Sequence, residues 1–334
     1  MRSRFKPTKE QRTTLRAQMA RAQQPAVALE ILRAVLPAEF KPVSAVCTTS
    51  SVHPDRFVLR AQARSDTGLE RRYALKVYSD DFGLQVWKFA EAMAEHGMSN
   101  HPGFCLPMTY LPDEHMLIFP WVDGLFLSDI VDERKPELLR RAARIVADLH
   151  RLPIAPEKPT TAPMFVEEAR ARCERLRRRW PQTTRLVERL VPALEGALAF
   201  LDPADPAPVH GDLAAGQFLW TGDRLVLLDL DMFGYTDPAY DAGHFLAQLE
   251  RRCLFDLTVR AQAGRWRDSF NDAYFEAMPG VSPRNVSFYR GLTLIRKIYT
   301  ICRRQPAEGP TLARELAARG QAALEEVTRL EAVR

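Results

Sequence analysis

Strand-like and helix-like patterns occupy different parts of this chain of 334 residues. Before Gly124, short runs alternate apolar and polar side chains, as residues 56–63 do, and such alternation is typical of half-buried strands. After Gly124, apolar residues recur at helical spacing, most clearly over residues 138–149. The order of these patterns predicts an α+β fold with two lobes, in which a small antiparallel sheet with one main helix precedes a larger, mostly helical lobe.

The predicted elements set the domain boundaries. We expect strands over residues 43–49, 56–63 and 72–78, a helix over residues 81–96, and two further strands over residues 104–110 and 115–121. Short turns join the first three strands, so they predict an antiparallel meander. The resulting division is a basic helical extension over residues 1–40, a sheet-containing region over residues 41–123 and a helical region over residues 124–334.

The composition is that of an ordinary globular protein, with 46% hydrophobic and 27% charged residues. No apolar run approaches the roughly 18 residues that span a membrane. The five cysteines are dispersed and form no C-x-x-C pair, which argues against a disulfide framework and a structural zinc site and predicts free thiols. The basic N-terminus has no apolar central region and is therefore not a secretory signal, so we expect a cytoplasmic protein.

The formal net charge of +5 leaves the class of partner open. One alternative is a nucleic-acid-binding protein that uses residues 1–24 and the arginine-rich residues 167–180. The second segment places its acidic residues at helical i, i+3 and i, i+4 spacing, and its only stacking aromatic residue is Trp180. That pattern is typical of a solvated helix, so we do not expect nucleic acid as a partner.

The most informative stretch covers residues 208–231, PVHGDLAAGQFLWTGDRLVLLDLD. It contains a loop with His210 and Asp212, and then a short buried-strand pattern that ends on Asp229 and Asp231. Carboxylates at a strand end, close to a loop carboxylate, suggest a site for a metal ion and phosphate, because Mg²⁺ takes oxygen ligands and commonly shares them with substrate phosphates. The competing interpretation is a β-hairpin with a turn at residues 222–223 and solvated acids at its rim.

These motifs resemble those of the aminoglycoside phosphotransferase and choline-kinase-like family, which has the protein-kinase-like fold. The segments that carry the resemblance are PVHGDLAAGQFLW and VLLDLDMFGYTDPAYDAGHF, together with the weaker RYALKVY and MLIFPWVDG. The resemblance implies that residues 41–123 form a nucleotide-binding lobe. It also implies that residues 124–334 form a catalytic and substrate-binding lobe.

The resemblance implies roles for residues of the loop and the strand end. Asp212 matches the catalytic aspartate, which accepts or orients the proton of the substrate hydroxyl. His210 belongs to the same catalytic loop, where we expect it to hold the backbone. Asp229 matches a metal-binding aspartate, and Asp231 either assists the metal or hydrogen-bonds the loop. Gln217 stands where the family has a metal-binding asparagine, and its amide oxygen can still ligate Mg²⁺.

Other matches concern the nucleotide. Lys76 matches the strand lysine that pairs with the α- and β-phosphates, and its acidic partner on the following helix would be Glu91 or, alternatively, Glu95. Asp241 matches a structural aspartate that braces the catalytic loop. The segment expected to hold adenine contains Phe119, Pro120 and Val122, with Val122 as the N–H donor because proline has none.

Together these matches predict a small-molecule kinase. It would transfer the γ-phosphate of ATP or GTP, with Mg²⁺, to a hydroxyl of a sugar, an amino alcohol, an aminoglycoside or a related metabolite. Gln217 and the glycine-free segment at residues 47–55 motivate an alternative, a pseudokinase-type module that binds nucleotide without transfer. Acidic and arginine side chains are about equally frequent on the helices after residue 239, so the charge of the small-molecule acceptor stays open.

Overall fold

The computed structural model describes residues 7–154, 158–304 and 309–330, apart from the side chain of Pro310. It divides the chain into two units between Gly124 and Leu125. Within the described ranges, none of the helices has both the length and the apolar character needed to cross a membrane. All five cysteines are buried free thiols, as their dispersed spacing predicts.

The first unit is built around one antiparallel sheet with the strand order β1-β2-β3-β5-β4. The strands are β1 (Pro42–Val52), β2 (Arg56–Ser65), β3 (Glu70–Tyr78), β4 (Thr109–Leu111) and β5 (Met116–Pro120). The predicted meander of the first three strands is confirmed. The glycine-free segment is mostly strand, because only residues 53–55 separate β1 from β2. The strand predicted over residues 104–110 is reduced to β4, since Pro107 cannot donate a ladder hydrogen bond.

Among the described residues of this unit, the helices that accompany the sheet are α1 (Lys9–Ala22), α2 (Pro25–Val35) and α3 (Phe82–Glu95). A capping box at Thr8 begins α1. Apolar residues of α1 and α2 join one core cluster with Leu75 and Val77 of β3. The extension predicted over residues 1–40 therefore packs on the sheet through its helices, while residues 1–6 lie outside the described ranges.

The second unit is mainly helical, as predicted. Its helices are α4 (Lys135–His150), α5 (Ala162–Arg179), α6 (Thr184–Leu198), α7 (Ala239–Phe255), α8 (Ala263–Ala277), α9 (Pro283–Arg304) and α10 (Gly309–Arg329). The apolar stripe over residues 138–149 lies in α4 and is buried along almost its whole length. Burial of that stripe is the main source of helix stability here, because isolated helices of this length are marginal in water.

The described residues of this unit also form five short strands. The sequence pattern indicated only the strand that precedes Asp229 and, in the competing interpretation, its hairpin partner. The strands are β6 (Leu125–Phe126), β7 (Ala207–Val209), β8 (Phe218–Trp220), β9 (Leu225–Leu227) and β10 (Gly234–Thr236). β6, β8 and β9 form one sheet, and β7 pairs with β10. β8 and β9 are the hairpin of the competing interpretation, with its turn at residues 222–223. The hairpin and the loop with Asp212 therefore coexist, and the hairpin connects that loop to Asp229.

A close approach of α7 to α9 fixes the helical packing near this loop. At Gly243 of α7, a Cβ atom would lie 2.6 Å from the backbone oxygen of Val286 and 2.7 Å from the backbone nitrogen of Arg290 on α9. Side chains do not approach backbone atoms so closely, so only glycine permits this contact. His244 follows directly in α7, and its ring is therefore held close to α9.

Candidate active site

The loop with His210, Gly211 and Asp212 is held by one buried carboxylate. Asp241, at the start of α7, accepts hydrogen bonds from the backbone N–H of His210 at 2.6 Å and from that of Gly211 at 2.9 Å. Gly211 has a φ of +82°, in the left-handed region that favours glycine. His150 Nε2 lies 3.2 Å from the same carboxylate. These contacts are those of a residue that braces the loop, as the resemblance implies for Asp241.

Asp241 is ionised in this environment. Burial opposes ionisation, but the hydrogen bonds from His150 and from the N–H of Gly211 lower the pKa of Asp241 below its ordinary value. His150 Nδ1 also lies 2.9 Å from the hydroxyl of Tyr274, and that hydroxyl is 3.2 Å from the carbonyl of Pro238. The carboxylate that holds the loop is therefore linked to α4 and α8 as well as to α7.

Leu228 ties the loop to the segment that follows β9. His210 Nε2 donates to the backbone oxygen of Leu228 at 2.9 Å. The N–H of Leu228 donates to the backbone oxygen of Gln217 at 2.8 Å. Because Leu228 immediately precedes Asp229, these bonds hold the two segments that carry Gln217 and Asp229 together. His210 Nδ1 also accepts from the N–H of Asp212 at 3.4 Å, so the contacts of His210 position the loop backbone.

The strand ends before the two aspartates that follow it. β9 ends at Leu227, and Asp229 has a φ of +64° and a ψ of +70°, a left-handed conformation that is uncommon for residues other than glycine. The alternation that would place Asp231 beside Asp229 therefore does not apply, and Asp231 lies in a buried turn while Asp229 is half-buried. Among the residues that the structure describes, no group of three or more His, Cys, Asp or Glu side chains could hold a metal ion.

Asp212 contacts a residue that sequence reasoning missed. His244 Nε2 on α7 lies 3.2 Å from Asp212 Oδ1, and 33% of the Asp212 side chain is still exposed. The other ring nitrogen of His244 lies 3.4 Å from the hydroxyl of Thr293 on α9. Only the spacing in the sequence could have indicated this contact. His244 follows Asp241 by three residues and therefore lies on the same side of a helix.

At neutral pH, Asp212 is a carboxylate and His244 is a neutral imidazole. Burial opposes ionisation of Asp212, but the hydrogen bond from His244 and the positive charge of Lys297 hold its pKa below the ordinary value. Burial lowers the pKa of His244 from 6.5 to about 4, against the opposing effect of Asp212. A neutral ring that donates from Nε2 to Asp212 and accepts at Nδ1 from Thr293 satisfies both contacts. Asp212 is therefore in the form that accepts a hydrogen bond from a hydroxyl.

Replacing His244 with glutamine should flatten the pH dependence of stability between pH 6.5 and about 4. In the unfolded chain His244 binds a proton below pH 6.5, but in the folded protein it does so only near pH 4. The free energy of unfolding should thus be highest above this window and fall by about 3 kcal/mol across it as the pH decreases. Urea denaturation of the wild type and H244Q at several pH values measures the difference, and equal slopes would contradict a neutral, buried imidazole.

The predicted phosphate-binding lysine belongs to the first unit. Lys76 lies on the central strand, β3, between Leu75 and Val77, which join the core cluster with α1 and α2. Because side chains alternate along a strand, Lys76 faces the other side of the sheet. It is only 8% exposed, and its Nζ lies 5.6 Å from the ring centre of Tyr78. Lys76 is therefore not an ordinary solvated lysine.

The acidic partner predicted for Lys76 is not in place. Glu91 and Glu95 are both exposed on α3, and neither forms a salt bridge with any residue in the described ranges. The buried stripe of α3 runs through Ala90 and Met93, and both glutamates lie off that stripe. A helical pattern alone could not choose between the two, because it does not tell how the helix is rotated against the sheet.

The segment after β5 offers a backbone donor. β5 ends with Phe119 and Pro120, and the N–H of Trp121 donates to the backbone oxygen of Arg72 on β3 at 3.0 Å. For the N–H of Val122, by contrast, no hydrogen-bond acceptor is found in the part of the chain that the structure describes. Hydrogen bonding to a nucleotide base needs such a donor, and the role of Val122 stays a prediction.

A small antiparallel sheet with a buried lysine on its central strand, followed by a helical unit with a braced His-Gly-Asp loop, defines a kinase-like phosphotransferase. The chain belongs to the phosphotransferase enzyme family APH, whose sequence model matches residues 49–284. The resemblance inferred from the motifs is thereby confirmed. No curated protein sequence matches the chain.

Solved structures have the same fold at low sequence identity. The amicoumacin kinase hAmiN, in complex with AMP-PNP and Ca²⁺, has a TM-score of 0.61 at 14% identity, over 92% of this chain and 96% of that chain. Choline kinase from Cryptosporidium parvum has a TM-score of 0.59 at 11% identity, over 91% and 96%. The choline kinase LicA from Streptococcus pneumoniae has a TM-score of 0.57 at 14% identity, over 90% and 99%. The predicted protein-kinase-like fold class is confirmed.

Proposed function

We propose that this protein transfers the γ-phosphate of a nucleoside triphosphate to a hydroxyl group of a small molecule, and that Asp212 receives the hydroxyl proton. One observation carries the proposal. Asp212 is an ionised, partly exposed carboxylate on a loop whose backbone is bonded to the buried Asp241. The family match supports the reaction class. Phosphoryl transfer needs mainly positioning and charge neutralisation, which a rigid loop with one carboxylate can provide.

The proposed reaction starts with a hydrogen bond from the acceptor hydroxyl to Asp212. The hydroxyl oxygen bonds to the γ-phosphorus, the bond from that phosphorus to the β,γ-bridging oxygen breaks, and the nucleoside diphosphate leaves with the electron pair. The hydroxyl proton passes to Asp212 and then to solvent. A carboxylate with a lowered pKa takes that proton late, after the attacking oxygen has begun to bond to phosphorus and has become more acidic. His244 and His210 keep Asp212 in position.

The residues around the end of β9 fit a magnesium ion. Asp229 offers a carboxylate and Gln217 an amide oxygen, and Mg²⁺ prefers such ligands together with water and substrate phosphates. The hydrogen bonds of Leu228 to His210 and Gln217 favour two ligands on adjoining segments. The ion would neutralise phosphate charge and orient the phosphates. Asp231, which is buried, would support the segment or assist the metal.

Residues of the first unit would hold the nucleotide. Lys76, which is buried on the central strand, would pair with its phosphates, as the resemblance of RYALKVY implies. Phe119, the carbonyl of Pro120 and the N–H of Val122 would contact the base, which admits ATP or GTP. Glu91 would need a different side-chain position to pair with Lys76. The alternative of a nucleotide-binding module without transfer gains no support from the match to an enzyme family.

An acceptor screen tests the proposal. The protein should release ADP from ATP, or GDP from GTP, in step with phosphorylation of at least one member of a panel of sugars, hydroxy acids, amino alcohols, aminoglycosides and macrolides. Such a small-molecule acceptor agrees with the names of the choline and amicoumacin kinases. Chelation of divalent metal should abolish the release, and added Mg²⁺ should restore it. Thermal stabilisation by nucleotide without turnover of any acceptor would contradict transfer.

A further inference from the structure

Positively charged side chains of α7 and α9 act on Asp212. Lys297 follows Thr293, the residue of α9 that contacts His244, by four residues and therefore lies on the same side of that helix. Electrostatic interactions couple the Asp212 carboxylate to Lys297 and Arg296 on α9 and to Arg251 on α7. All three side chains are only partly exposed, so solvent screens these interactions less than it screens surface charges. An acceptor that presents its hydroxyl to Asp212 would therefore meet a positive electrostatic potential.

A row of contacts along α7 leads from Asp212 to Arg251. His244 Nε2 donates to Asp212 Oδ1 at 3.2 Å, and the side chain of Gln248 packs against the same ring. The amide nitrogen of Gln248 lies 3.2 Å from Nε2 without a hydrogen bond, because both nitrogens carry hydrogen. Arg251 Nε donates to Gln248 Oε1 at 3.0 Å. Steps of four and three residues keep these side chains on one side of the helix. Within the described ranges, Arg251 makes hydrogen bonds only through Nε, so its two terminal nitrogens are suited to a planar anion.

The acidic residues of the same helices are already engaged. α9 contains no Asp or Glu, and α7 contains only Asp241 and Glu250. Asp241 holds the loop, and Glu250 lies 3.5 Å from Arg290 and 3.9 Å from Arg319. These two helices therefore offer no uncommitted carboxylate to a cationic acceptor.

We propose that the phosphate acceptor is an anion, namely a hydroxyl compound with a carboxylate or phosphate group, which binds to Arg251 and Lys297 beside Asp212. This inference rests on the proposed function, because it assumes that the acceptor hydroxyl reaches Asp212. Arg296 is paired with Glu168 of α5 at 2.9 Å and supports the site without contacting the acceptor. Like-charge repulsion from Arg251 and Lys297 would disfavour an ammonium-bearing acceptor.

Matched acceptors test the charge preference. Glucose, glucuronate, glucose phosphate and glucosamine share a ring and differ in charge, and glycerol, glycerate, glycerol phosphate and ethanolamine form a smaller set. With ATP and Mg²⁺, an anionic member should have the highest kcat/KM of its set, about tenfold or more above the neutral member. A higher kcat/KM for the neutral or amino member would overturn the proposal.

Two variants test the residues. Arg251→Gln and Lys297→Met should each raise KM for the best anionic acceptor by about 10- to 100-fold, because each removes a charge-assisted hydrogen bond. KM for ATP should not change. Arg252→Gln is the matched control, since Arg252 is exposed on the same helix and lies 3.5 Å from Asp256. A rise in KM for ATP with no rise for the acceptor would assign these side chains to the nucleotide and overturn the proposal.

Different experimental results would contradict the proposed anionic acceptor and the proposed phosphotransferase reaction. ATP consumption that is absent, or that is as fast in Asp212→Asn as in the wild type, would contradict the phosphotransferase reaction. Asp212-dependent transfer that favours an amino or neutral acceptor would retain the reaction and overturn the anionic acceptor. Asp212-dependent ATP hydrolysis that no anionic probe accelerates or inhibits would also overturn it.

Discussion

Asp212→Asn should lower kcat for phosphoryl transfer by about 10²- to 10⁴-fold and leave the protein folded. Asparagine keeps the shape of the side chain but cannot take up the hydroxyl proton. It also removes the charge that accepts the hydrogen bond from His244. Steady-state rates with the best acceptor measure the loss, and circular dichroism with thermal melting checks the fold.

Asp223→Asn provides the matched control for this substitution. Asp223 is an exposed carboxylate in the turn between β8 and β9, where it accepts from the N–H of Arg224 at 2.8 Å. Asp223 lies in the hairpin that follows the loop with Asp212, but outside the site. The kcat of Asp223→Asn should therefore equal that of the wild type. A kcat for Asp212→Asn within a few-fold of the wild type would show that Asp212 does not handle the proton.

Asp241→Ala should lower the free energy of unfolding by about 3–5 kcal/mol and abolish measurable transfer. The carboxylate is fully buried and accepts from His210 N–H, Gly211 N–H and His150. Its removal leaves three buried donors without an acceptor and releases the loop that carries Asp212. Urea denaturation monitored by circular dichroism measures the change in stability.

The Asp241→Asn variant separates the effect of the lost hydrogen bonds from the effect of the lost side-chain volume. An asparagine oxygen can accept from Gly211 or from His210, but the amide nitrogen beside it cannot accept from the other. We expect a stability between those of the wild type and Asp241→Ala, with a reduced kcat and little change in KM for ATP. If Asp241→Ala unfolds at the same urea concentration as the wild type, the carboxylate does not hold the loop.

The local patterns that could be predicted are those with a sequence period or a fixed spacing. The alternation of apolar and polar residues was sufficient to predict the meander of β1, β2 and β3. It also placed Lys76 on the face of β3 opposite to Leu75 and Val77, which belong to the core cluster. The motif spacing was sufficient to predict that Asp241 holds the loop, because that role depends on short segments whose backbone geometry the motif itself encodes. The catalytic role of Asp212 stays a prediction.

The remaining features depend on contacts between distant segments. His244 meets Asp212 because α7 packs against the loop and because Gly243 allows α7 to approach α9, and no local period reports such packing. The hydrogen bonds of Leu228 use its backbone atoms, so they do not depend on the residue type and cannot be predicted from it. Asp231 would lie beside Asp229 only if the strand continued to residue 231, and the left-handed conformation of Asp229 prevents this.

Glu91 illustrates a different limit. The hydrophobic pattern of α3 predicted a helix over residues 81–96, and the helix is observed from Phe82 to Glu95. A helix can rotate by a fraction of a turn against a sheet without changing that pattern. Such a rotation decides whether Glu91 faces Lys76 or solvent, so the pairing could not be predicted from the sequence.

The most direct measurement of the central claim follows the γ-phosphorus itself. Phosphorus NMR of ATP, Mg²⁺, the best acceptor and catalytic protein should show the γ-phosphate signal of ATP replaced by that of a phosphate ester, with one ADP formed per ester. Asp212→Asn should form neither at a comparable rate. Conversion of the γ-phosphate to inorganic phosphate alone, at equal rates in both proteins, would contradict an Asp212-dependent phosphotransferase.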